Sequence, residues 1–498
     1  MMLLAIAGLA LVPYAIGTRW GIGLRPDSTL YLGLWSDGRH QAPLYGWLIE
    51  AAYIFLPSPK VAAWLANAAL LFANLAIFGR MLMKARLSVV GVAMGVLILL
   101  FLPQFLYVHV TVFSEPLFLL CIFATFLSVA RYIERDSRQW LWIAAACAAL
   151  TVLTRFSGVP LIGAMALVIL AYDRGPLWQR RLPRSIEFGA IASAIFLVWL
   201  LLDRLDGGMG VGREAALLGN PDQQTFVKAL DTFSLYLLPS IVPLWLRVLA
   251  LFAGLGLLTS AAVWVLRPRE SEAPQRGLSI GRTAAVFFLC YAPFLFLTLF
   301  VEANLTIHER YVLPLYVSAL LIVASAWGNG WPAWRTVDLH PYFLAVAVVI
   351  LGLNAVRGTV QTVNLFANGN AYASPIWYGS ATIARVRDLP AGMKIYSNAP
   401  DAIRMLAERP ADFWPQLFDS RTGKEDPARP FERQMREVRD EVKAGRAVIV
   451  QLDAVDWRFY LIDEQSLARE LGLSPTFAEN DGRIYGRFTG TGEDTDEH

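Results

Sequence analysis

The sequence predicts a polytopic α-helical membrane protein of about eleven spans, followed by a soluble α/β domain at the C-terminus. Two observations lead to this prediction. The 498 residues are 56% hydrophobic and 17% charged, with a mean hydropathy of +0.47, whereas soluble domains carry about 25% charged residues. The charge is also uneven, because apolar runs of membrane-crossing length fill residues 1–357, whereas residues 358–498 have the composition of a soluble domain.

Eleven apolar segments have the length that a helix needs to cross a hydrocarbon core of about 30 Å. We predict spans at 2–18, 60–80, 87–103, 115–132, 139–155, 157–172, 186–203, 240–266, 283–301, 312–328 and 341–357. The first segment also has the length of a signal peptide, but it lacks a basic leader. We interpret it as a retained span, with a signal peptide as the alternative.

The loops predict the orientation, because Lys and Arg collect on the cytoplasmic side of short loops. Basic residues follow the second, fourth, sixth and eighth spans, and they include Arg80, Lys84, Arg131, Arg135, Arg174, Arg180, Arg181, Arg184 and Arg267. The alternate loop at 103–114 has no Lys or Arg. We therefore expect the N-terminus inside and, with eleven spans, the C-terminal domain outside. An error of one span would reverse the second conclusion.

The remaining composition indicates no other class of partner. The formal net charge is only +3, which gives no indication of nucleic acid binding. The three cysteines, Cys121, Cys147 and Cys290, have no paired spacing, so the sequence predicts neither a disulfide framework nor a thiolate metal site.

Ionisable and aromatic residues gather in the loops that are predicted to lie outside. The set comprises Asp27, Asp37, His40, Glu115, Arg155, His308, Glu309, Arg310 and Tyr311. Charged groups near a membrane boundary are costly and are usually functional. Acids, arginines and histidines at one membrane surface therefore predict a single cavity.

The C-terminal domain shows its own pattern. We predict a buried strand at 393–397, a helix at 400–406, a charged helix at 430–443 and a covered strand at 447–452. A terminal strand pair near Thr476 and Ile484 is joined through residues 480–482. The domain carries no nucleophile elbow, phosphate loop or zinc spacing, which favours a role in holding an acceptor or covering the cavity.

Four motifs, together with an Asp in a long first outer loop, carry a family resemblance. They are APLYGWL at 42–48, SEPLFLL at 114–120, LTRFSGVPL at 153–161 and ERYVLPLY at 309–316. Their order and common side resemble the GT-C superfamily of membrane glycosyltransferases. The chain is most similar to the bacterial branch related to the protein O-mannosyltransferases and the lipid A aminoarabinose transferase. It departs from the family pattern of two adjacent acids, because Ser28 follows Asp27, and Asp37 is the alternative second acid.

The resemblance implies transfer of a sugar from a polyprenyl-phosphate donor to an acceptor hydroxyl at the outer face, usually with inversion. Such a reaction needs a base and cations that stabilise the departing phosphate. The resemblance then implies that Asp27 is the base, that Glu115 is a polar contact or metal ligand, and that Arg155 and Arg310 bind the phosphate with their planar guanidinium groups. A divalent cation is implied only by resemblance.

Each of these roles has a structural alternative. Asp27 could cap a helix, and Glu115 could be favoured at a helix start by the helix dipole. Both arginines could snorkel to the interface, and Tyr311 could belong to the interfacial aromatic belt. Asp37 precedes a glycine and is typical of a turn. The remaining candidates for substrate or metal binding are His40, His308 and Glu309, which could instead face water.

The function expected from the sequence is therefore glycosyl transfer in the bacterial inner membrane. The donor is a polyprenyl-phosphate sugar, and the acceptor is a glycan, a lipid or a protein. One alternative is a transporter or flippase of a lipid-linked substrate, but transporters place polar sites near the midplane and often show internal repeats. The other alternative, a structural protein with a sensory outer domain, leaves the clustered charges unexplained.

Overall fold

The computed structural model describes residues 2–34, 41–205, 217–267, 277–331 and 340–486. The helices of the first part are α1 Met2–Leu9, α2 Leu11–Gly17, α3 Ser28–Tyr31, α4 Leu44–Tyr53, α5 Pro59–Lys84, α6 Val89–Leu100, α7 Pro103–His109, α8 Glu115–Arg135, α9 Arg138–Thr154, α10 Val159–Tyr172, α11 Leu182–Leu205, α12 Gln223–Ser234, α13 Leu244–Leu266, α14 Ser279–Thr298, α15 Glu309–Gly328 and α16 His340–Asn368. A 3-10 turn, Phe156–Gly158, precedes α10, and a π-helical turn, Leu177–Arg181, leads into α11.

The second part of the chain alternates helices and strands. Its elements are α17 Pro375–Tyr378, α18 Ala381–Arg387, β1 Lys394–Ser397, α19 Pro400–Leu406, β2 Asp412–Phe413, α20 Phe431–Lys443, β3 Ala447–Leu452, α21 Glu464–Leu471, β4 Pro475–Glu479 and β5 Gly482–Tyr485.

The chain is a multi-pass helical membrane protein. Within the described ranges, seven helices are long and apolar enough to cross a membrane, and the pair α6 and α7 adds an eighth if it forms one bent span. Three further apolar segments are shorter helices, Met2–Gly17, Arg138–Thr154 and Phe156–Tyr172. Each of the eleven predicted segments therefore corresponds to an apolar helix, while the count of eleven spans stays a prediction.

The segment at 103–114 was predicted to be a loop, and this is only partly right. It begins with α7, which is bent by 63° from α6. The break has a local cause, because Pro103 disfavours helical backbone at the preceding residue. Leu102 accordingly adopts an extended conformation with ψ 118°. The second helix then ends at His109 and leads to the start of α8.

Helix α8 lies at the centre of the bundle. Its apolar window is 78% buried, compared with 11% in the helices Leu244–Leu266 and Leu344–Asn368. Large apolar side chains such as Leu201, Trp245 and Val349 are exposed on the peripheral helices. A helix that presents apolar side chains all round is typical of a membrane span with one face toward lipid.

The basic loops meet at one end of the bundle. Lys84 at the end of α5 forms an ion pair with Glu134 of α8. The hydroxyl of Tyr132 donates to Asp173 over 2.7 Å, which joins α8 to the end of α10. The hydroxyl of Tyr172 donates to the carbonyl at the end of α13 over 2.8 Å. The loops that the sequence assigns to the cytoplasm therefore share one face.

The C-terminal part forms a five-stranded sheet in the order β2-β1-β3-β5-β4. Strand β3 pairs in parallel with β1 and antiparallel with β5. The predicted strands at β1 and β3, helices α19 and α20, and the terminal strand pair are all confirmed. Strand β2 and helices α17, α18 and α21 were not predicted. Helix α16 runs through the predicted domain boundary at 357/358 and ends at Asn368.

This α/β unit packs on the end of the bundle opposite the basic loops. The Lys60 ammonium group donates to the Met405 carbonyl over 2.7 Å, and Arg404 donates to the Leu34 carbonyl over 3.1 Å. Asn304 donates to the Ser420 carbonyl over 2.7 Å. These contacts place the unit beside the loops between α2 and α4 and between α14 and α15.

Candidate functional site

At the end of the bundle that carries the α/β unit, backbone hydrogen bonds join three segments that are distant in sequence. The Gly23 amide donates to the Val110 carbonyl over 2.8 Å, and the Val112 amide returns a bond to the Gly23 carbonyl over 2.9 Å. The Tyr372 amide donates to the Leu24 carbonyl over 3.1 Å. A Cβ atom at Gly23 would lie 2.2 Å from the Asn370 amide nitrogen, so this close approach requires glycine. The loop that carries Asp27 is thereby fixed against the segment that leads into Glu115.

Glu115 is the first residue of α8, and its side chain is only 3% exposed. Arg155 Nη1 lies 2.8 Å from Glu115 Oε1, and Arg310 Nε lies 3.6 Å from the same oxygen. A buried carboxylate must be compensated by charge, and here two cations do so. Neither Glu115 oxygen accepts an aligned hydrogen bond from any described residue.

Arg310, the second residue of α15, connects the two candidate acids. Its Nη1 atom donates to Asp27 Oδ2 over 2.9 Å, and its Nη2 atom donates to Tyr311 Oη over 3.2 Å. The guanidinium carbon lies 4.7 Å from the centre of the Phe113 ring, a distance that allows a cation–π contact. Three nitrogens of one side chain thus have three separate partners.

Arg155 follows α9 and reaches the same place. Its Nη1 atom also donates to Ser114 Oγ over 3.0 Å, and Tyr31 Oη donates to that hydroxyl over 2.9 Å. The guanidinium lies 5.6 Å from the Tyr311 ring centre. The side chains of Arg155 and Arg310 are 18% and 20% exposed, so both point inward and the snorkelling alternative is wrong.

Asp27 occupies the N-cap position of α3, but its side chain makes no capping hydrogen bond. The capping alternative is therefore wrong in this structure. The carboxylate is 43% exposed and uses Oδ2 for Arg310. Its second oxygen has no hydrogen-bond donor among the described residues, so it is available to a bound molecule.

His308 lies at the rim of the cluster, and its ring centre is 5.9 Å from that of Tyr311. Partial burial and the cations of Arg310 and Arg25 lower the pKa of His308, although Asp27 opposes this effect. The imidazole is therefore neutral at pH 7. The side chain of Glu309 has no contact with the arginines or acids of the cluster in the described structure. Its backbone carbonyl accepts from Tyr236 over 2.6 Å.

No protein-family model and no curated protein matches the chain. Solved structures do match it. ArnT from Cupriavidus metallidurans, the lipid A aminoarabinose transferase, has a TM-score of 0.58 in the structure bound to undecaprenyl phosphate, with 14% identity and 96% of each chain covered. The apo state of ArnT gives 0.59, with 15% identity and the same coverage. The chain has the GT-C fold.

The arabinofuranosyltransferase AftD from mycobacteria gives a TM-score of 0.56 with 15% identity. The match covers 97% of this chain and 39% of AftD. The resemblance that was inferred from the four motifs is thus confirmed as a GT-C fold.

The GT-C fold brings together Asp27, Glu115, Arg155, Arg310 and Tyr311, with His308 at the rim. The predicted residues Asp37 and His40 lie outside the described residues. Within the described ranges, no group of three or more His, Cys, Asp or Glu side chains could hold a metal ion. Asp27 and Glu115 instead face arginines.

Sequence reasoning missed several residues of the cluster. Ser114 accepts from both Arg155 and Tyr31, and Phe113 stacks on Arg310. Arg25 lies 5.7 Å from the Tyr107 ring centre and adds a third cation near His308. Ser114 and Arg25 are close in sequence to predicted residues, so adjacency could have identified them. Tyr31 follows Asp27 by one helical turn.

The bundle also carries an apolar groove. Its volume is about 470 Å³, and its lining residues are Leu44, Trp47, Leu48, Leu117, Leu120, Cys121, Ala124, Cys147 and Leu150. The lining comes from α4, α8 and α9. Leu117 and Glu115 both belong to the first turn of α8, so this helix contributes to the groove and to the charged cluster.

Proposed function

We propose that this protein transfers a sugar from a polyprenyl-phosphate donor to an acceptor hydroxyl. One observation carries the proposal: buried Glu115 holds Arg155 and Arg310 together at the start of α8, the helix that also lines an apolar groove. ArnT, whose fold this chain shares, was solved bound to undecaprenyl phosphate, and this supports the class of donor. The face that carries the cluster is the one predicted to be extracytoplasmic.

The two arginines would bind the donor phosphate. Glu115 fixes both guanidinium groups from the bundle side, so their geometry exists before the donor binds. Arg155 uses Nη1 for its described polar contacts, which leaves other N–H groups for phosphate oxygens. Guanidinium groups bind phosphate with paired hydrogen bonds. In this proposal Glu115 acts through the arginines and is a positioning residue.

The prenyl chain would lie in the groove between α4, α8 and α9. The groove lining is almost entirely apolar, and Trp47 at its edge is 48% exposed. An isoprenoid chain entering from the bilayer would keep apolar contacts along its length. Its phosphate would then lie at the end of the groove, near Glu115 and the arginines.

Asp27 would act as the general base. The acceptor oxygen attacks the anomeric carbon, and the bond from that carbon to the phosphate oxygen breaks. The hydroxyl proton passes to the free oxygen of Asp27, and the polyprenyl phosphate departs with its charge facing Arg155 and Arg310. Attack opposite the leaving phosphate inverts the anomeric centre. Arg310 holds Asp27 in place through Oδ2.

The Asp27→Asn variant tests this assignment. An asparagine keeps the size of the side chain and an oxygen for Arg310, but it cannot accept the proton. We expect transfer to fall by about two to four orders of magnitude, the usual contribution of a positioned base, while binding of the lipid-linked sugar is unchanged. Purified protein in detergent with a polyprenyl-phosphate sugar provides both measurements.

Glu50→Gln is the matched control, because Glu50 is an exposed carboxylate of α4 outside the cluster. It should retain wild-type turnover. Retention of more than about a tenth of the turnover in Asp27→Asn would place the base elsewhere, and Asp37 would become the next candidate. Mass spectrometry of the lipid-linked sugars that accumulate in a deletion strain would identify the sugar.

The alternative of a transporter is not supported by the position of the cluster. Transporters bind their substrates near the midplane of the bilayer. Here Glu115 is the first residue of α8 and Arg310 is the second residue of α15. The described charged cluster thus lies at helix ends.

A further inference from the structure

A polar cavity lies at the other end of α8, between the last turns of α8 and of α5. Its volume is about 460 Å³, and its lining residues are Arg80, Met83, Lys84, Leu127, Arg131, Glu134 and Arg135. Four of these seven residues are cationic and one is acidic. We refer to this cavity as the basic pocket.

The charges of the basic pocket are poorly compensated within the described protein. Lys84 pairs with Glu134, and Ser279 also donates to that carboxylate. No described carboxylate forms an ion pair with Arg80, Arg131 or Arg135. The Arg131 guanidinium stacks on the Trp140 ring at 4.4 Å, which fixes its position without neutralising it. Like charges that share a cavity repel each other unless an anion joins them.

The basic pocket is separate from the candidate donor site. Arg131 follows Glu115 by sixteen positions in α8, which corresponds to a rise of about 24 Å at about 1.5 Å per residue. The hydrocarbon core of a bilayer is about 30 Å thick. The two sites therefore lie near opposite faces of the membrane, and the basic pocket lies on the face that the Lys and Arg content assigns to the cytoplasm.

We propose that the basic pocket binds the phosphate of an anionic lipid headgroup from the leaflet opposite the candidate active site. Arginine groups match phosphate oxygens, and basic pockets between membrane helices on the cytoplasmic side are suited to anionic headgroups. Leu127 lies one helical turn closer to the membrane centre than Arg131, and Met83 is 48% exposed. These apolar side chains would contact the acyl chains below the headgroup. They favour a lipid over free phosphate.

The experiment compares lipids that are retained by the full-length protein in native mass spectrometry. Detergent micelles are doped with phosphatidylglycerol or with phosphatidylcholine, and a separate sample contains millimolar inorganic phosphate. We expect the wild-type protein to retain phosphatidylglycerol and to lose phosphatidylcholine. The double variant R131Q/R135Q should retain at least about tenfold less phosphatidylglycerol, because each basic residue adds several-fold to binding at an anionic lipid surface.

Controls separate this site from other basic residues and from the donor site. Arg86→Gln removes an exposed arginine of the same face that does not line the basic pocket. Arg310→Ala removes a cation of the candidate donor site. Both should retain the wild-type amount of phosphatidylglycerol. Arg80→Gln affects an exposed side chain, so it provides a variant of the basic pocket that preserves core packing, and it should reduce retention several-fold.

Three results would overturn the proposal. The first is equal retention of phosphatidylglycerol by the wild type, R131Q/R135Q and Arg80→Gln. The second is equal retention of the anionic and the zwitterionic lipid. The third is displacement of the lipid by inorganic phosphate at millimolar concentration, which would assign the pocket to a soluble phosphate compound.

Discussion

At the scale of single residues, Arg310 shows why side-chain type matters in this cluster. Its Nη1, Nε and Nη2 atoms face Asp27, Glu115 and the Tyr311 hydroxyl, respectively. A planar guanidinium can make these contacts in one plane, whereas an ammonium is a point charge on a flexible stem. The same side chain would orient the base, bind the leaving phosphate and compensate the buried carboxylate.

Arg310→Lys keeps the charge but loses the planar set of donors. We expect the transfer rate and donor affinity to fall by at least about tenfold, because at most one or two of the three contacts can be kept, while the protein still folds. Steady-state kinetics and donor binding with purified protein provide the measurements. The matched control is Arg19→Lys, because Arg19 is an exposed arginine that stacks on Phe366 outside the cluster. Unchanged donor affinity in Arg310→Ala would exclude a phosphate ligand at this position.

At the scale of elements, α8 links the two sites that are proposed here. Glu115 begins the helix and holds the arginines of the donor site, whereas Arg131 and Arg135 lie in its last turns and line the basic pocket. Substitutions at one end should leave the other end unchanged, since sites separated by more than about 10 Å are usually independent.

The α/β unit contains a buried ion pair that joins α19 to the segment after β3. Arg458 Nη2 lies 2.5 Å from Asp401 Oδ1, and the side chains are 3% and 2% exposed. Tyr372 donates to Asp401 Oδ2 over 2.7 Å, and the Tyr372 amide bonds to Leu24, three residues before Asp27. Asp401 therefore stabilises the α/β unit and its connection to the loop of the candidate base.

Asp401→Ala should destabilise the α/β unit by about 3–5 kcal/mol, because it leaves a buried guanidinium without a counter-charge. Hydrogen exchange of the β1 and β3 amides measures this loss. Asp456→Ala is the control, since Asp456 is exposed and makes no described ion pair. A loss below about 1 kcal/mol would mean that the pair contributes no more than a surface salt bridge.

Asp481 joins the β4–β5 turn to the start of α18. Its carboxylate accepts from Ser380 and from the amide and hydroxyl of Thr382, the latter over 2.9 Å. Burial opposes ionisation of Asp481, but the hydrogen bonds from Ser380 and Thr382 outweigh it and lower the pKa of this carboxyl. A lowered pKa favours the folded state above the unfolded value of about 3.9.

The contribution of Asp481 should be complete above about pH 4 and should disappear as the pH falls through the lower pKa of the folded state. Asp481→Asn should therefore cost about 1–2 kcal/mol at pH 7 and less under strongly acidic conditions. Thermal unfolding of both proteins between about pH 2 and pH 7 tests this. If the difference in stability between the wild type and Asp481→Asn stayed constant across this pH range, the result would contradict stabilisation by the ionised Asp481 carboxylate.

At the scale of the whole molecule, the α/β unit and the charged cluster share one end of the bundle. Lys60 of the bundle donates to the Met405 carbonyl of the α/β unit, and Arg404 of the unit donates to the Leu34 carbonyl of the bundle. The basic loops lie at the opposite end of the bundle. Because basic loops are retained in the cytoplasm, we predict that the α/β unit lies outside. It would then be placed to hold an acceptor close to Asp27.

A reporter fused after His498 tests this orientation. We expect alkaline phosphatase to be active at this position and a cytoplasm-dependent fluorescent protein to be inactive. The arginine-rich segment at 174–184 provides the control site, because a reporter inserted there should give the reverse result. A fusion after His498 that is active only in the cytoplasm would refute the predicted orientation of the α/β unit and with it the predicted side of the cluster.

The sequence by itself determined the features that depend on neighbouring residues. Apolar length predicted eleven segments that each correspond to an apolar helix, and the β-branched run at Ala447–Leu452 predicted the buried strand β3. Pro103 accounts for the break between α6 and α7, because it favours extended backbone at Leu102. These features are local, because hydropathy and backbone restriction act over one element.

Only the tertiary structure decided which charges meet. Asp27 and Arg310 are 283 positions apart, and Glu115 receives Arg155 and Arg310 from two other helices. The sequence placed all four at one membrane face, yet it could not show that the Asp27 side chain binds Arg310 instead of capping α3, or that Glu115 holds two arginines. The basic pocket at the far end of α8 was likewise visible only as loop charge. The reason is physical: such contacts depend on how the helices pack, and no short stretch of sequence specifies the packing of residues that are hundreds of positions apart.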